Sequence, residues 1–128
     1  MLFKQPQIAF TMKGFLYALK GLVEGIKTQL NMKVHLVMAT LALLAGYFLS
    51  IEPHEWKWLV LSIGLVISIE LINTSIEYLV NLVSPQHHPL AGKIKDLSAA
   101  GVLIAALTAL IIGLIIFTPR ILFLIKYS

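Results

Sequence analysis

Three long apolar runs, 34–51, 58–83 and 97–118, leave this 128-residue chain little choice of fold. At about 1.5 Å per residue a helix of such a length spans most or all of the ~30 Å hydrocarbon core of a bilayer. Lipid offers the backbone no hydrogen-bond partners, so each run has to satisfy its own polar groups as a helix. The residue balance agrees: 59% hydrophobic, 12% charged and mean hydropathy +0.90 is more apolar surface than one soluble core of this size can hide. The expected fold class is therefore an all-α membrane protein.

The runs are bounded by recognisable stops. The first ends at Glu52-Pro53-His54-Glu55, a polar turn containing a helix breaker, and Trp56-Lys57-Trp58 then forms an interfacial anchor. The second stops at Ser84-Pro85, the polar stretch 86–96 follows, and the third is closed by Pro119 and Arg120 with a short apolar tail beyond. Residues 1–33 are amphipathic: Phe15, Leu19, Leu22 and Ile26 recur at helical spacing while Lys13, Lys20, Glu24 and Lys27 fall on another face. This segment reads as a helix lying on the membrane surface. It has neither the unbroken apolar core nor the small-residue cleavage site of a signal peptide, so it is expected in the mature protein.

No Gly/Ser/Pro-rich linker or low-complexity tract divides the chain, and residues 1–128 read as one domain with no room for a separate soluble catalytic unit. The absence of cysteine removes disulfides, thiolate zinc sites and thiol nucleophiles together. A net charge of +4 is too small and too dispersed for a nucleic-acid footprint. Its distribution instead orients the bundle. Lys4, Lys13, Lys20, Lys27 and Lys33 precede the first span, and Lys93 and Lys95 sit between the second and third, so both segments are expected on the cytoplasmic side. The turn between the first two spans carries only Lys57, whereas Arg120 and Lys126 run against the assignment.

Two patterns lie inside the spans. Gly101, Ala105, Ala109 and Gly113 recur every four residues, a smooth face for close helix packing; Gly21 and Gly25 can serve the surface helix similarly. The second pattern carries chemistry. Glu70, Asn73, Thr74, Glu77 and Asn81 interrupt the second span, and at ~100° per residue they share roughly a third of the circumference. Counting from Trp58, Glu70 stands ~18 Å into the membrane and Glu77 ~28 Å, near the cytoplasmic boundary.

A carboxylate at such depth costs on the order of 2.5–3.5 kcal/mol on insertion scales, and two on one stripe repel. Interhelical hydrogen-bonding glue accounts for Asn73 and Thr74 better than for two acids. A cation or proton pathway and a metal-assisted catalytic site are the other readings. Lys93, Lys95 and Asp96, at the start of the third span, share the membrane level of Glu77, which brings a cation and three acids together. Phosphoryl transfer uses such parts: carboxylates for a metal, a lysine for phosphate charge and a base for the attacking hydroxyl. A desolvated Glu70 suits that base better than a free surface glutamate. No Walker A sequence, Gly-rich kinase loop or Rossmann fingerprint occurs, so a nucleotide site here needs another design.

Glu70-Leu71-Ile72-Asn73-Thr74-Ser75-Ile76-Glu77, followed by Ser84-Pro85-Gln86-His87-His88-Pro89-Leu90-Ala91-Gly92-Lys93-Ile94-Lys95-Asp96, resembles the signature of the prokaryotic diacylglycerol kinase and undecaprenol kinase family. The resemblance spans nearly the whole chain, and a surface helix followed by three spans is that family's layout. It implies an ATP- and Mg²⁺-dependent kinase of a membrane lipid alcohol, working as a homotrimeric helical bundle in the bacterial inner membrane with its site at the cytoplasmic face. Glu70 would be the base on the lipid hydroxyl, Glu77 a ligand of the Mg²⁺ that bridges the ATP phosphates, and Asn73 a residue that orders the site. Lys95 would hold phosphate oxygens with Asp96 beside it, Gln86, His87 and His88 would line the nucleotide pocket, and Tyr17 would close over it. The Ser-Pro-x-x-His-Pro-Leu loop resembles the undecaprenol branch more than the diacylglycerol branch. By themselves the two histidines read as interfacial loop residues, and no spacing supports a zinc site.

Two positions depart from the family. Where it places an acidic metal ligand before an Asn-Met-basic-hydrophobic-His stretch, this chain has Gln29 ahead of Asn31-Met32-Lys33-Val34-His35. An amide oxygen coordinates a hard cation without contributing charge, so affinity should fall. Phe10 stands where some relatives carry a basic residue. The rival expectations are a catalytically impaired family member serving as a membrane scaffold, and a small transporter coupling ions through Glu70 and Glu77.

Overall fold

The computed structural model describes residues 12–128; Lys4, Phe10 and the expected start of the surface helix over 1–11 lie outside them. Four helices follow in order: α1 (Met12–Thr28), α2 (Leu30–Phe48), α3 (Pro53–Val83) and α4 (Pro89–Tyr127). The last three are long and apolar enough to cross a membrane. Their outward faces carry large exposed side chains such as Leu41, Leu61, Leu107 and Ile115, as lipid-facing helices require.

The surface helix ends earlier, and the first span begins earlier, than the apolar pattern suggests. Gln29 alone leaves the helical conformation, at φ −107° and ψ 116°, and Asn31, Met32 and Lys33 form the first turns of α2. The extended conformation of Gln29 bends the chain here, and Thr28 Oγ1 donates to the Glu24 carbonyl at 2.7 Å in the last turn of α1. The bend folds α1 back on the bundle, so that Met32 is fully buried and Gly25 lies against Leu71, whose Cδ2 would stand 2.9 Å from an added Cβ. Gly21 faces open space.

α2 stops at Phe48 rather than at residue 51 because the chain turns into a Schellman motif. Ser50 takes a left-handed conformation with φ 52°; its N–H donates to the Tyr47 carbonyl at 3.3 Å, and the Ile51 N–H donates to the Gly46 carbonyl at 3.1 Å. Ile51 thereby turns inward and packs with Leu59 and Ile116 in a small core that Trp56, Ile63 and Phe117 flank. Pro53 opens α3 at a position where its fixed φ is already helical, which draws Trp56-Lys57-Trp58 into the helix.

α4 is the longest element, 39 residues, and it does not stop before Pro119. A proline in a helix removes one intrahelical hydrogen bond. Here Arg120 Nη1 donates to the Ile116 carbonyl at 3.4 Å beside that gap, and Ile116 and Phe117 are held in the core. α3 and α4 make the most extensive interhelical contact, with Ala105 and Ile116 buried; Gly101 lies 3.8 Å, measured from an added Cβ, from Ile69 Cγ2. At ~1.5 Å per residue α3 is about 46 Å long, so it exceeds the bilayer core and its polar end projects beyond it.

Candidate active site

The polar stripe of α3 runs from the bundle interior outward. Glu70, Asn73 and Thr74 are buried, Glu77 is half-buried and Asn81 is exposed. Thr74 is satisfied within the helix, its Oγ1 donating to the Glu70 carbonyl at 3.0 Å. Asn73 Nδ2 donates to Glu77 Oε1 at 3.5 Å, which links the two acidic levels. Among the described residues, two buried oxygens, Glu70 Oε2 and Asn73 Oδ1, have no hydrogen-bond partner. Unpartnered buried acceptors are costly in a membrane helix, and both are suited to a donor or cation brought by a ligand.

Lys95, one turn and a half into α4, reaches this stripe: its Nζ donates to Asn81 Oδ1 at 2.7 Å. Asp96 is exposed on the adjoining face. Gln86 and His87 lie exposed in the loop between α3 and α4, and His88 caps α4, its Nδ1 accepting from the Leu90 N–H at 3.1 Å. Pro89 follows as the first helical residue, so this loop starts the helix that carries Lys95.

α1 meets α3 beside the stripe, at Tyr78. Tyr78 OH donates to Glu24 Oε1 at 3.4 Å and lies 3.1 Å from Thr28 Oγ1, which in turn accepts from Gln29 Nε2 at 3.1 Å. Gln29 thus sits at the hinge between α1 and α2 with its amide tied to Thr28. Tyr17 is exposed on α1, with Lys20 Nζ 5.6 Å from its ring centroid. Lys13, Tyr17, Lys20, Glu24 and Lys27 recur at helical spacing on one face of that helix.

The structure brings together Glu70, Asn73 and Glu77, and joins Lys95 to the same stripe through Asn81. It adds a residue to which the sequence reading attached no role. His35 of α2 faces Glu70, with Nε2 3.6 Å from Oε2 and side-chain exposures of 18% and 1%. The available signal was a titratable ring inside an apolar span, which is a functional-site pointer by default. Glu24, Thr28 and Tyr78 carried no comparable signal, since each is ordinary on an amphipathic surface or at an interface.

Three membrane-spanning helices around a buried polar stripe define an integral membrane protein with a site inside the bundle. Residues 16–117 match the prokaryotic diacylglycerol kinase family. The chain is 39% identical over 108 residues to the undecaprenol kinase of Bacillus subtilis, covering 84% of this chain and 88% of that protein. It is 35% identical over 109 residues to a diacylglycerol kinase of Synechocystis sp., covering 84% of this chain and 62% of the relative, and 30% identical over 95 residues to the diacylglycerol kinase of Escherichia coli, covering 74% and 78%. The chain belongs to the prokaryotic diacylglycerol kinase family and is a lipid kinase of the diacylglycerol and undecaprenol kinase type.

Proposed function

We propose that this single-domain protein transfers the γ-phosphoryl group of ATP to the hydroxyl of undecaprenol, with diacylglycerol as the lesser substrate. The observation that carries the reading is the buried Glu70 carboxylate, whose Oε2 has no hydrogen-bond partner among the described residues at the inner end of a lipid kinase's polar stripe. Such an oxygen can accept the hydroxyl proton of a lipid that approaches from within the bilayer. The preference for a polyprenol is supported by the 39% identity with an undecaprenol kinase and by the Ser84-to-Leu90 loop.

In this reading Glu70 takes the proton as the lipid oxygen bonds to the γ-phosphorus and the bond to ADP breaks. Asn73 holds Glu77 in place and keeps the stripe ordered. Lys95 exchanges Asn81 for phosphate oxygens, with Asp96, Gln86, His87 and His88 around the nucleotide and Tyr17 over it. The oxygen donors of the stripe suit Mg²⁺, a hard cation, and Glu77 with the Gln29 amide would hold it. Bound magnesium supplies charge neutralisation on the phosphates. The reading also includes a homotrimer in the inner membrane with the site at the cytoplasmic face, supported by family membership and by the lysines of α1 and of the α3–α4 loop.

Radiolabelled ATP offered with undecaprenol and diacylglycerol in detergent micelles tests the proposal. Transfer should favour undecaprenol and vanish in Glu70→Gln, which removes the proton acceptor but keeps the shape. Preferred labelling of diacylglycerol overturns the substrate assignment, and parental turnover by Glu70→Gln overturns the base. A folded parent that labels neither lipid would instead mark an impaired family member.

A further inference from the structure

Once the lipid has given up its proton, Glu70 must lose that proton before it can act again, yet the side chain is 1% exposed and has no contact with bulk water. The ring that faces it is His35, whose Nε2 lies 3.6 Å from the unpartnered Oε2. That separation is just beyond hydrogen-bond reach. Catalytic hydrogen bonds in ligand-free sites are commonly long and tighten when substrate binds. His35 is itself 18% exposed and stands five residues into α2, roughly 8 Å along the helix from its start. The imidazole therefore lies between a sealed carboxylate and the exposed face of α2 near its start.

Other titratable groups on the elements packed against α2 are differently engaged. From α3, Glu77 is linked to Asn73 and Tyr78 donates to Glu24; from α1, Glu24 receives that bond and Lys27 is exposed in the last turn.

We propose that His35 is the proton relay of the kinase, a role that rests on Glu70 being the base. The protonated Glu70 carboxyl gives its proton to Nε2 of the neutral ring, whose Nδ1 already carries hydrogen. The imidazolium then turns away from Glu70 and releases the Nε2 proton to water, which leaves the ring in its first tautomer. The net change is one proton carried from the lipid hydroxyl to water, with no other bond altered. His35 does not touch the substrate; it acts through Glu70, both positioning the carboxylate and emptying it.

The test uses the full chain in micelles at saturating ATP and lipid alcohol, with folding followed by thermal melting. His35→Gln keeps a donor but cannot titrate; it should lower kcat by about tenfold or more with both KM values little changed. The pH–rate profile of that variant should lose the rising arm that the parent shows. His35→Ala should be slow and should regain rate several-fold with added imidazole, by analogy with an external general base. Parental kcat and profile in His35→Gln would sink the relay, and so would a folded His35→Ala that imidazole does not rescue. If His35→Gln does not fold, the imidazole arm decides. Glu70→Gln separates the two claims: an inactive Glu70→Gln beside a parental His35→Gln removes the relay alone, whereas an active Glu70→Gln removes the base and the relay with it.

Discussion

Arg120 of α4 holds Glu55 of α3 with both arms of its guanidinium, Nη1 at 2.8 Å from Oε2 and Nη2 at 2.5 Å from Oε1. Glu55 Oε1 also accepts the Glu52 N–H at 3.1 Å, so one carboxylate fastens the start of α3 and ties it to the far part of α4. A bidentate arrangement of this kind is directional as well as attractive. It also accounts for a cation at the end of the bundle away from the lysine-rich segments. Arg120 serves an interhelical pair.

Breaking that pair should cost stability and leave chemistry alone. Glu55→Leu and Arg120→Leu are each expected to melt below the parent in detergent, while the exchanged pair Glu55→Arg with Arg120→Glu recovers only part of the loss, since it removes the acceptor of the Glu52 N–H. Melting curves of the four proteins check this. Single variants that melt with the parent would make the pair incidental.

Ser50 holds a left-handed turn that glycine adopts without strain, with φ 52° at the C-terminal cap of α2. Ser50→Gly should therefore stabilise the protein by about 1 kcal/mol, offset in part by the greater freedom of glycine in the unfolded chain. Thermal or denaturant unfolding of the parent and variant reads the sign directly.

Gln29 brings a neutral amide to the hinge between α1 and α2, near the Thr28, Tyr78 and Glu24 network. Gln29→Glu is expected to lower the magnesium concentration for half-maximal activity by roughly tenfold, equivalent to about 1.4 kcal/mol of added metal binding. A magnesium titration of two active proteins with unchanged curves would remove Gln29 from the site. A gain of activity from an inactive parent would identify a disabled kinase.

Lys95 and Asn81 are in contact at 2.7 Å, yet the proposed roles differ: Lys95 meets phosphate, and Asn81 only parks it. Lys95→Met should reduce kcat/KM for ATP by about a hundredfold, as expected when a charge aimed at the transferred group is lost. Asn81→Leu should remain within a few-fold of the parent. Equal losses in both would mean that the pair itself, rather than the lysine, matters.

Much of this was legible in one dimension. The three spans followed from run length, because a bilayer imposes a minimum number of apolar residues on any helix that crosses it. Glu70, Asn73 and Glu77 shared a face because helical periodicity is a property of the local backbone. The boundaries were less legible. The break at Gln29 goes with the packing of Gly25 on Leu71 and the burial of Met32, the early end of α2 with a left-handed Ser50, and the passage of α4 through Pro119 with packing around Ile116 and Phe117.

The sequence by itself determined an all-α membrane protein with one polar stripe in its second span, since hydropathy and periodicity are sums over neighbouring residues. Only the tertiary structure decided what the stripe meets. The facing of His35 to Glu70 and the pairing of Arg120 with Glu55, partners 65 residues apart, depend on how each helix is rotated against the next. That rotation is set by close contacts such as Gly25 on Leu71 and Ile51 on Leu59 and Ile116, contacts between segments that no local pattern relates.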